Sequence, residues 1–524
     1  MSATASTAST ASTASTTVLA TAATLAAPSA LDRVLTAKGY AIKKTALTAP
    51  QAAELRKALT VAPKVMDKFQ KTVPSFPIYA ESKQRFYVPR HWGIKAYGPP
   101  EATLVPEGLP LPPTLTWNDA YQPHDFQRDI IDHYLQDPNG LICVPCGYGK
   151  TFMALRIAFL YGRRFLILVD KEFLMNQWKA EIARFLHGAR VGILQANKVE
   201  TEAKYDVTIA MIQTLCRREF PDDFFEEYGF TIFDECHHLG AAYFCRALQR
   251  VQTRAMLGLS ATPDREDGLT RVFEAYLGEP VVKKTERDPD REAVVRAVWF
   301  TSEDPAYKEI PTNYRGETVT AKLLNQVADF EPRNRRILSL IAEYADPRRF
   351  LLLLSDRISQ LDWFYEQLTQ SPPTAGFTVG YYIGGMKQAQ LDKNAETCRL
   401  LLATYQMASE AFSVKRLNTV ILATPRKNVE QSTGRIFRER IEERKVAPHI
   451  IDIIDSHDCH KRRWWTRQRF YKKCQYTMEH LGRGLSKTKA AQESSDPSDP
   501  SDPSESDDEK EEAAIAPAPC LIRF

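Results

Sequence analysis

No apolar run in this 524-residue chain approaches the roughly 18 to 20 residues that a helix needs to cross a bilayer. Nor is a secretory leader expected: "TTVLATAATLAAP" is short, and no Lys or Arg precedes Arg33. Nine cysteines are scattered and odd in number, which excludes a disulfide framework and suits a reducing compartment. Cys143 and Cys146 form a lone C-x-x-C without the second pair that a zinc site requires. Both read as small residues lining a strand end and a loop. No nuclease constellation is present either.

What the chain has is an uneven charge. Its formal net charge is +4, but residues 493–512 hold ten acidic residues and one lysine. That segment is −9, which leaves +13 on the remainder. A basic body with an acidic tail suits a partner rich in phosphates. The tail repeats Ser-Asp-Pro three times, and proline at every third position forbids a regular helix. It reads as a solubilising segment or as an arm for a protein partner. The opening "SATASTASTASTAST" lacks core-forming residues, so both termini (1–30 and 485–524) are expected to be disordered.

Between the ends, short apolar runs alternate with helical stretches. The first series is "LICV" (141–144), "FLILV" (165–169), "VTIAM" (207–211), "FTIFD" (230–234) and "AMLGLS" (255–260). The second is "RFLLLLS" (349–355), "VGYYIG" (379–384), "RLLLATY" (399–405), "TVILAT" (419–424) and "HIIDII" (449–454). Such alternation predicts parallel sheets covered by helices on both faces. Two series imply two α/β domains, placed at 118–284 and 341–458. Residues 285–340, richer in charge and without strong strands, are expected to connect them. A small N-terminal module is expected at 31–117 and a basic, aromatic helix at 459–484.

"GLICVPCGYGKTFMALRIAFL" (140–160) runs from a strand through two glycines into Lys-Thr and a helix with one apolar face. Gly147 and Gly149 allow the backbone to wrap so that its N–H groups point at an anion. Lys150 then sits at the positive end of a helix, and the Thr151 hydroxyl stands where a Mg²⁺ ligand is required. The full P-loop pattern has a glycine six residues before the lysine, where this chain has Val144. Downstream, "FTIFDECHHLG" (230–240) places Asp234 and Glu235 just after an apolar strand. Asp234 there suits Mg²⁺ binding, and Glu235 suits orienting and deprotonating a water.

"DECH" resembles motif II of the superfamily 2 DExH helicases, whose P-loop tolerates the missing glycine. "GLSATPDREDG" (258–268) is similar to their motif III, followed by an R-E-D element like that of XPB-type helicases. "VDKEFLMNQW" (169–178) and "TIAMIQTL" (208–215) resemble motif Ia and the next nucleic-acid contact motif. The segment beginning "LLATYQMASEAFSV" resembles motif V, and "VEQSTGRIFRER" (429–440) resembles motif VI. The ordered set spans about 118–458 and looks most like helicases of large DNA viruses and phages.

The resemblance implies two RecA-like lobes with a small N-terminal module, ATP and Mg²⁺ between the lobes, and 3′ to 5′ movement. It assigns Gly147, Gly149, Lys150 and Thr151 to phosphates and metal, Asp234 to the metal and Glu235 to the base. Arg435 and Arg438 would stabilise transition-state charge from the second lobe. His237 and Gln431 would meet across the cleft and report the nucleotide state. Gln127 would read adenine, with His124 where relatives have arginine three residues earlier. Motif V departs from the family at Ala411 and Ser413, where glycine and aspartate are usual. Thr214 and Thr404 would contact the nucleic-acid backbone.

In "KRRWWTRQRFYKK" (461–473), seven basic residues interleave with Trp464, Trp465, Phe470 and Tyr471. Arg462, Arg463 and Arg467 are expected on nucleic acid, and the tryptophans are expected to dock on the second lobe. The substrate is expected to be DNA rather than RNA, with the protein acting as a monomer on it. The setting is a host nucleus or cytoplasm, or a viral factory or virion. The rivals are a duplex translocase that does not separate strands and an ATP-switch scaffold without catalysis.

Overall fold

Leucine-rich and β-branched segments, too apolar to face water on either side, become the inner strands of two parallel sheets. The computed structural model describes residues 31–64, 74–265, 267–284, 287–410, 414, 416–437, 439, 441 and 444–482. The Ser/Thr/Ala head and the acidic tail lie outside the described residues.

The first sheet is built from β1 (Asn139–Cys143), β2 (Phe165–Val169), β3 (Val191–Gln195), β4 (Lys198–Val199), β5 (Val207–Met211), β6 (Phe230–Phe233), β7 (Ala255–Ser260) and β8 (Pro280–Lys283). Their spatial order is β4-β3-β5-β2-β6-β7-β1-β8. All neighbours are parallel except the β3–β4 pair at the edge. Every residue of "FLILV" in β2 is buried, as a central strand covered on both faces requires.

The second sheet has β9 (Val294–Phe300), β10 (Leu351–Ser355), β11 (Val379–Tyr382), β12 (Leu400–Thr404), β13 (Thr419–Leu422), β14 (His449–Asp455) and β15 (Thr477–Leu481). They are arranged β11-β12-β10-β13-β14-β9-β15 and are parallel throughout. Two RecA-like α/β lobes result, as the alternation of the sequence implies.

Residues 31–64 and 74–117 add a five-stranded sheet and the helix Arg90–Tyr97. This module shares a core with the first lobe, where Tyr40, Ile42 and Val88 pack in one cluster with Leu141, Met256 and Tyr276. Arg90 clamps the junction. Its guanidinium donates to Asn139 Oδ1 at 2.9 Å and to the carbonyls of Thr253 at 2.6 Å and Arg254 at 3.1 Å.

Two expectations are corrected. The stretch 285–340 is not free of strands, since "VVRAVWF" forms β9, an interior strand between β14 and β15. Its arginine and the acids around it mask an alternation whose buried side chains are Val295, Ala297 and Val298. The segment 459–484 is not only a helix. The helix Asp458–Lys473 is followed by β15, an edge strand whose polar, partly exposed "TMEHL" hides its character.

The helix Asp458–Lys473 also overturns part of the nucleic-acid assignment. Arg467 is 1% exposed and forms a two-pronged pair with the equally buried Asp452 of β14, at 2.8 and 2.9 Å. Tyr471 donates its hydroxyl to the same carboxylate at 3.0 Å. Arg463 is buried and donates to the Pro425 carbonyl at 3.0 Å. Both side chains fasten the helix to the sheet. Trp464 docks at 1% exposure, whereas Trp465 is 51% exposed and does not. Arg462 faces solvent.

Arg467→Ala leaves Asp452 as a lone buried carboxylate, so it is expected to cost about 3–5 kcal/mol in the unfolding of the second lobe. The shift of the urea midpoint measures it. Burial also pushes the imidazoles of His91, His237 and His449 down to about 4, and that of His460 to about 3, from 6.5. In the unfolded chain these rings take up protons near 6.5. Below that pH the unfolded chain therefore binds more protons, and stability falls as the pH drops toward 4. Melting midpoints across this window check the sign, and a midpoint unchanged between about pH 7 and pH 5 contradicts it.

Candidate active site

β1 delivers the chain into a tight turn at 144–149 and then into the helix Lys150–Tyr161. Gly147 and Gly149 have φ of +93° and +80°, left-handed values at which a side chain is strained. Gly149 also packs on Gln127, whose Nε2 lies 2.5 Å from where a Cβ would stand. Lys150 donates its ammonium to the Val144 carbonyl at 3.2 Å. The residue replacing the expected glycine thus holds the lysine over the turn through its backbone. Thr151 follows in the first turn of the helix.

Gln127 is buried, and both ends of its amide are engaged. It donates to the Tyr148 carbonyl at 3.1 Å and accepts from the His124 N–H at 3.1 Å. In this arrangement it braces the phosphate loop and caps its own helix. The adenine contact expected of it is not what these bonds provide.

β6 ends at Phe233, and the next two residues form the acidic pair. The Asp234 carboxylate accepts from the Trp178 indole at 2.8 Å and from the Glu235 N–H at 3.0 Å. Burial, then the neighbouring Glu235 charge, raise the Asp234 carboxyl above the usual range, while Trp178 and Lys150 oppose them. A carboxylate so placed favours a cation beside it. Asp234 therefore offers the charge that a Mg²⁺ beside it would need.

Glu235 sits at φ +43°, a left-handed conformation that is costly for a residue with a side chain. One of its carboxylate oxygens is buried without a hydrogen-bond donor. The nearest imidazole nitrogen, His237 Nδ1, is 3.3 Å away, an ion pair only if that ring is protonated. Burial, then Arg265, hold the ring down to about 4, so it is neutral near pH 7 and the Glu235 oxygen keeps a free lone pair. A carboxylate with one oxygen buried and unengaged, next to Asp234, has what a general base requires.

His237 does not meet Gln431. Its Nδ1 lies 3.1 Å from the Ser260 hydroxyl, which also accepts from the Thr262 N–H at 3.1 Å. Gln431 from the second lobe instead reaches the Thr262 hydroxyl at 3.5 Å. Motif III thus stands between the two residues expected to touch. Arg265 ties the R-E-D element to motif II, donating to the His237 carbonyl while pairing with Asp267.

The second lobe presents its Gly434–Ile436 turn to the phosphate loop. A Cβ on Gly147 would lie 3.6 Å from the Phe437 carbonyl, and one on Gly434 would lie 3.7 Å from Cys146 Cβ. Arg435, inside this turn, is buried and donates through Nε to the Ala408 carbonyl at 2.6 Å, joining motif VI to motif V. Arg438, Ala411 and Ser413 lie outside the described residues.

Of the expected nucleic-acid threonines, Thr214 is buried and its hydroxyl accepts from the Ala196 N–H at 2.9 Å. That bond holds the turn at 195–198, and burial removes the hydroxyl from a surface strand. Thr404 closes β12 and accepts from the Met407 N–H at 3.4 Å.

The family model of the res subunit of type III restriction enzymes matches residues 120–265. A putative ATP-dependent RNA helicase of Acanthamoeba polyphaga mimivirus is 31% identical over 85% of this chain and 86% of that protein. The chain belongs to the superfamily 2 helicases, in the type carried by large DNA viruses. A putative ATP-dependent RNA helicase of African swine fever virus is 27% identical over 67% of this helicase and 73% of its own length. A probable helicase of Escherichia phage T5 is 26% identical over 59% and 66%. This helicase is an ATP-hydrolysing enzyme that acts on nucleic acid. Among its described residues, no helix is long and apolar enough to cross a membrane.

Trp178 escaped the sequence reading because a tryptophan on an amphipathic helix reads as core, and it is core at 1% exposure. Its one polar atom nonetheless orients Asp234. Trp178→Phe keeps the packing and removes the donor. Losing a hydrogen bond to a charged group costs about 1.5–3 kcal/mol, so the KM for ATP with Mg²⁺ is expected to rise about tenfold or more. Initial rates across a Mg²⁺ series measure it, and an unchanged KM removes Trp178 from the site.

Proposed function

We propose that this helicase couples ATP hydrolysis to lobe closure and moves 3′ to 5′ along DNA, separating its strands. The observation that carries the reading is the pairing of opposed parts. Lys150, Asp234 and the unengaged Glu235 oxygen stand on one wall, and the motif VI turn stands directly against the phosphate loop on the other.

Gly147 and Gly149 turn the loop's backbone N–H groups toward the β- and γ-phosphates, and Lys150 swings from the Val144 carbonyl to meet them. Mg²⁺ held by Asp234 and Thr151 would neutralise charge on the phosphate oxygens. Glu235 takes the proton from the attacking water through its free oxygen. Arg435 approaches from the second lobe, and a guanidinium at the transferring phosphoryl group contributes about 10³–10⁵ in rate. The chain His237–Ser260–Thr262–Gln431 links the site of hydrolysis to the second lobe, so lobe position responds to the nucleotide.

DNA as substrate rests on the R-E-D element, similar to that of XPB-type helicases, and on its wiring through Arg265 to motif II. RNA is a second reading, favoured by the descriptions of the mimivirus and African swine fever virus relatives. Arg462, Thr404 and the exposed Trp465 are the remaining candidates for backbone grip and stacking. We place its action inside the host cell, as a monomer on the strand.

Lys150→Ala and Glu235→Gln are each expected to lower ATP turnover by two or more orders of magnitude, the scale seen when groups acting only in the transition state are removed. Steady-state ATPase with single-stranded DNA, duplex DNA and RNA side by side, at stated salt, ranks the substrates. Forks with a free 3′ or 5′ strand then give the direction. Wild-type turnover that none of the three polymers raises overturns the helicase reading.

A further inference from the structure

Three residues just beyond β8, outside every motif, hold the phosphate loop from the side facing the second lobe. Arg287 donates through Nη2 to the Cys146 carbonyl at 3.0 Å. Asp288 accepts the Tyr148 hydroxyl proton at 2.6 Å, and its own N–H donates back to that oxygen at 3.0 Å. Lys284 pairs with Asp288 and lies 4.9 Å from the centroid of the Tyr148 ring. Cys146 and Tyr148 are the two residues that flank Gly147. Both are therefore fastened by the strand that leads out of the first lobe.

Arg287 faces the second lobe as well. Its guanidinium lies 5.3 Å from the centroid of the Phe437 ring. Its Nη2 stands 2.2 Å from where a Cβ on Gly434 would be. Gly434 has φ −55°, an ordinary helical backbone that any residue adopts. The close neighbour is the flexible end of the Arg287 side chain, so a methyl group at 434 would push the guanidinium from its place rather than strain the backbone. The Arg287 Nε is buried with no hydrogen-bond partner. A buried donor left unsatisfied costs free energy, so the guanidinium is held there by its contacts with the loop and the motif VI turn.

We propose that Arg287 is a positioning residue that brackets the phosphate loop to motif VI when the lobes meet, so that closure sets the turn carrying Arg435 in register with the loop. The inference rests on the reading of the site as an ATPase driven by lobe closure and deepens it. Phosphates are assigned to Gly147, Gly149 and Lys150, none of which the bracket bonds directly, so ATP binding depends on it less than turnover does. Placement of Arg435 against the bound nucleotide depends on it. A misplacement near 1 Å can cost up to about a hundredfold in rate.

The test uses the full chain as wild type, Arg287→Ala, Arg287→Lys, Gly434→Ala and the Arg287→Ala/Gly434→Ala double variant. Turnover is measured with and without whichever of single-stranded DNA, duplex DNA or RNA stimulates the wild type. Arg287→Ala is expected to lower stimulated kcat about tenfold or more, with KM for ATP within about twofold. Arg287→Lys recovers part of this, since it keeps the charge and loses the fork. Melting midpoints give a second readout without turnover. The methyl group of Gly434→Ala lowers the midpoint when Arg287 is present and costs little when it is absent, a coupling that a double-mutant cycle isolates.

Unchanged kcat in Arg287→Ala overturns the proposal, as does a large rise in KM at constant kcat, which would mark a direct ATP ligand. An equal cost for the 434 methyl group in both backgrounds overturns it too. A wild type that no polymer stimulates counts against the helicase reading instead, and the melting cycle then decides the bracket by itself.

Discussion

A triphosphate concentrates negative charge that one protein surface cannot meet alone, and this molecule meets it from two. Each wall is the carboxyl end of a parallel sheet, where strand ends release the chain into turns. On the first wall the turn after β1 must curl tightly enough for its N–H groups to converge, which the positive φ of Gly147 and Gly149 permits. On the second, the Gly434–Ile436 turn comes within van der Waals reach of that loop, a Cβ at 434 lying 3.7 Å from Cys146 Cβ. The remaining features of the site serve this opposition. Gln127 braces the loop from below, Trp178 fixes the metal ligand, and motif III fills the distance between His237 and Gln431.

The site leaves some polar groups unsatisfied and satisfies others fully, and the difference separates chemistry from architecture. The Glu235 carboxylate keeps a buried oxygen without a donor on a strained backbone, a cost that structure alone does not explain. Asp452 and Asp455 are buried more deeply, and each meets a two-pronged arginine and a tyrosine hydroxyl. These pairs lie on opposite faces of β14 and hold the helices that carry Arg333 and Arg467. A basic, aromatic helix that resembles a nucleic-acid grip is in large part a clamp on the sheet beneath it.

Much of the fold was legible as periodicity. Ten apolar runs became ten strands, nine of them inner ones, because a parallel strand buried on both faces leaves little room for polar residues. Of the strands in the two lobes, those that escaped are β3, β4 and β8 of the first sheet and β9 and β15 of the second, which are short or carry polar residues such as Gln195, Lys198, Arg296, Glu479 and His480. Of the site, the glycines, the lysine and the acidic pair could be read because their chemistry fixes residue type at fixed spacing. Trp178 and Arg287 could not, since a tryptophan in a helix and an arginine after a strand carry no distinguishing pattern. Their roles exist only through neighbours 56 and 141 positions away in the chain.

The sequence by itself therefore determined the class of fold, the family and the candidate groups for phosphate, because each of these is a local pattern repeated along one strand or one turn. Tertiary structure alone decided which arginines face inward, what stands between His237 and Gln431, and why a side chain at 434 would displace Arg287. Those are questions of where distant segments come to rest against one another. Burial, and the charge or hydrogen-bond partner that burial demands, is set by that meeting and by nothing nearer in the chain.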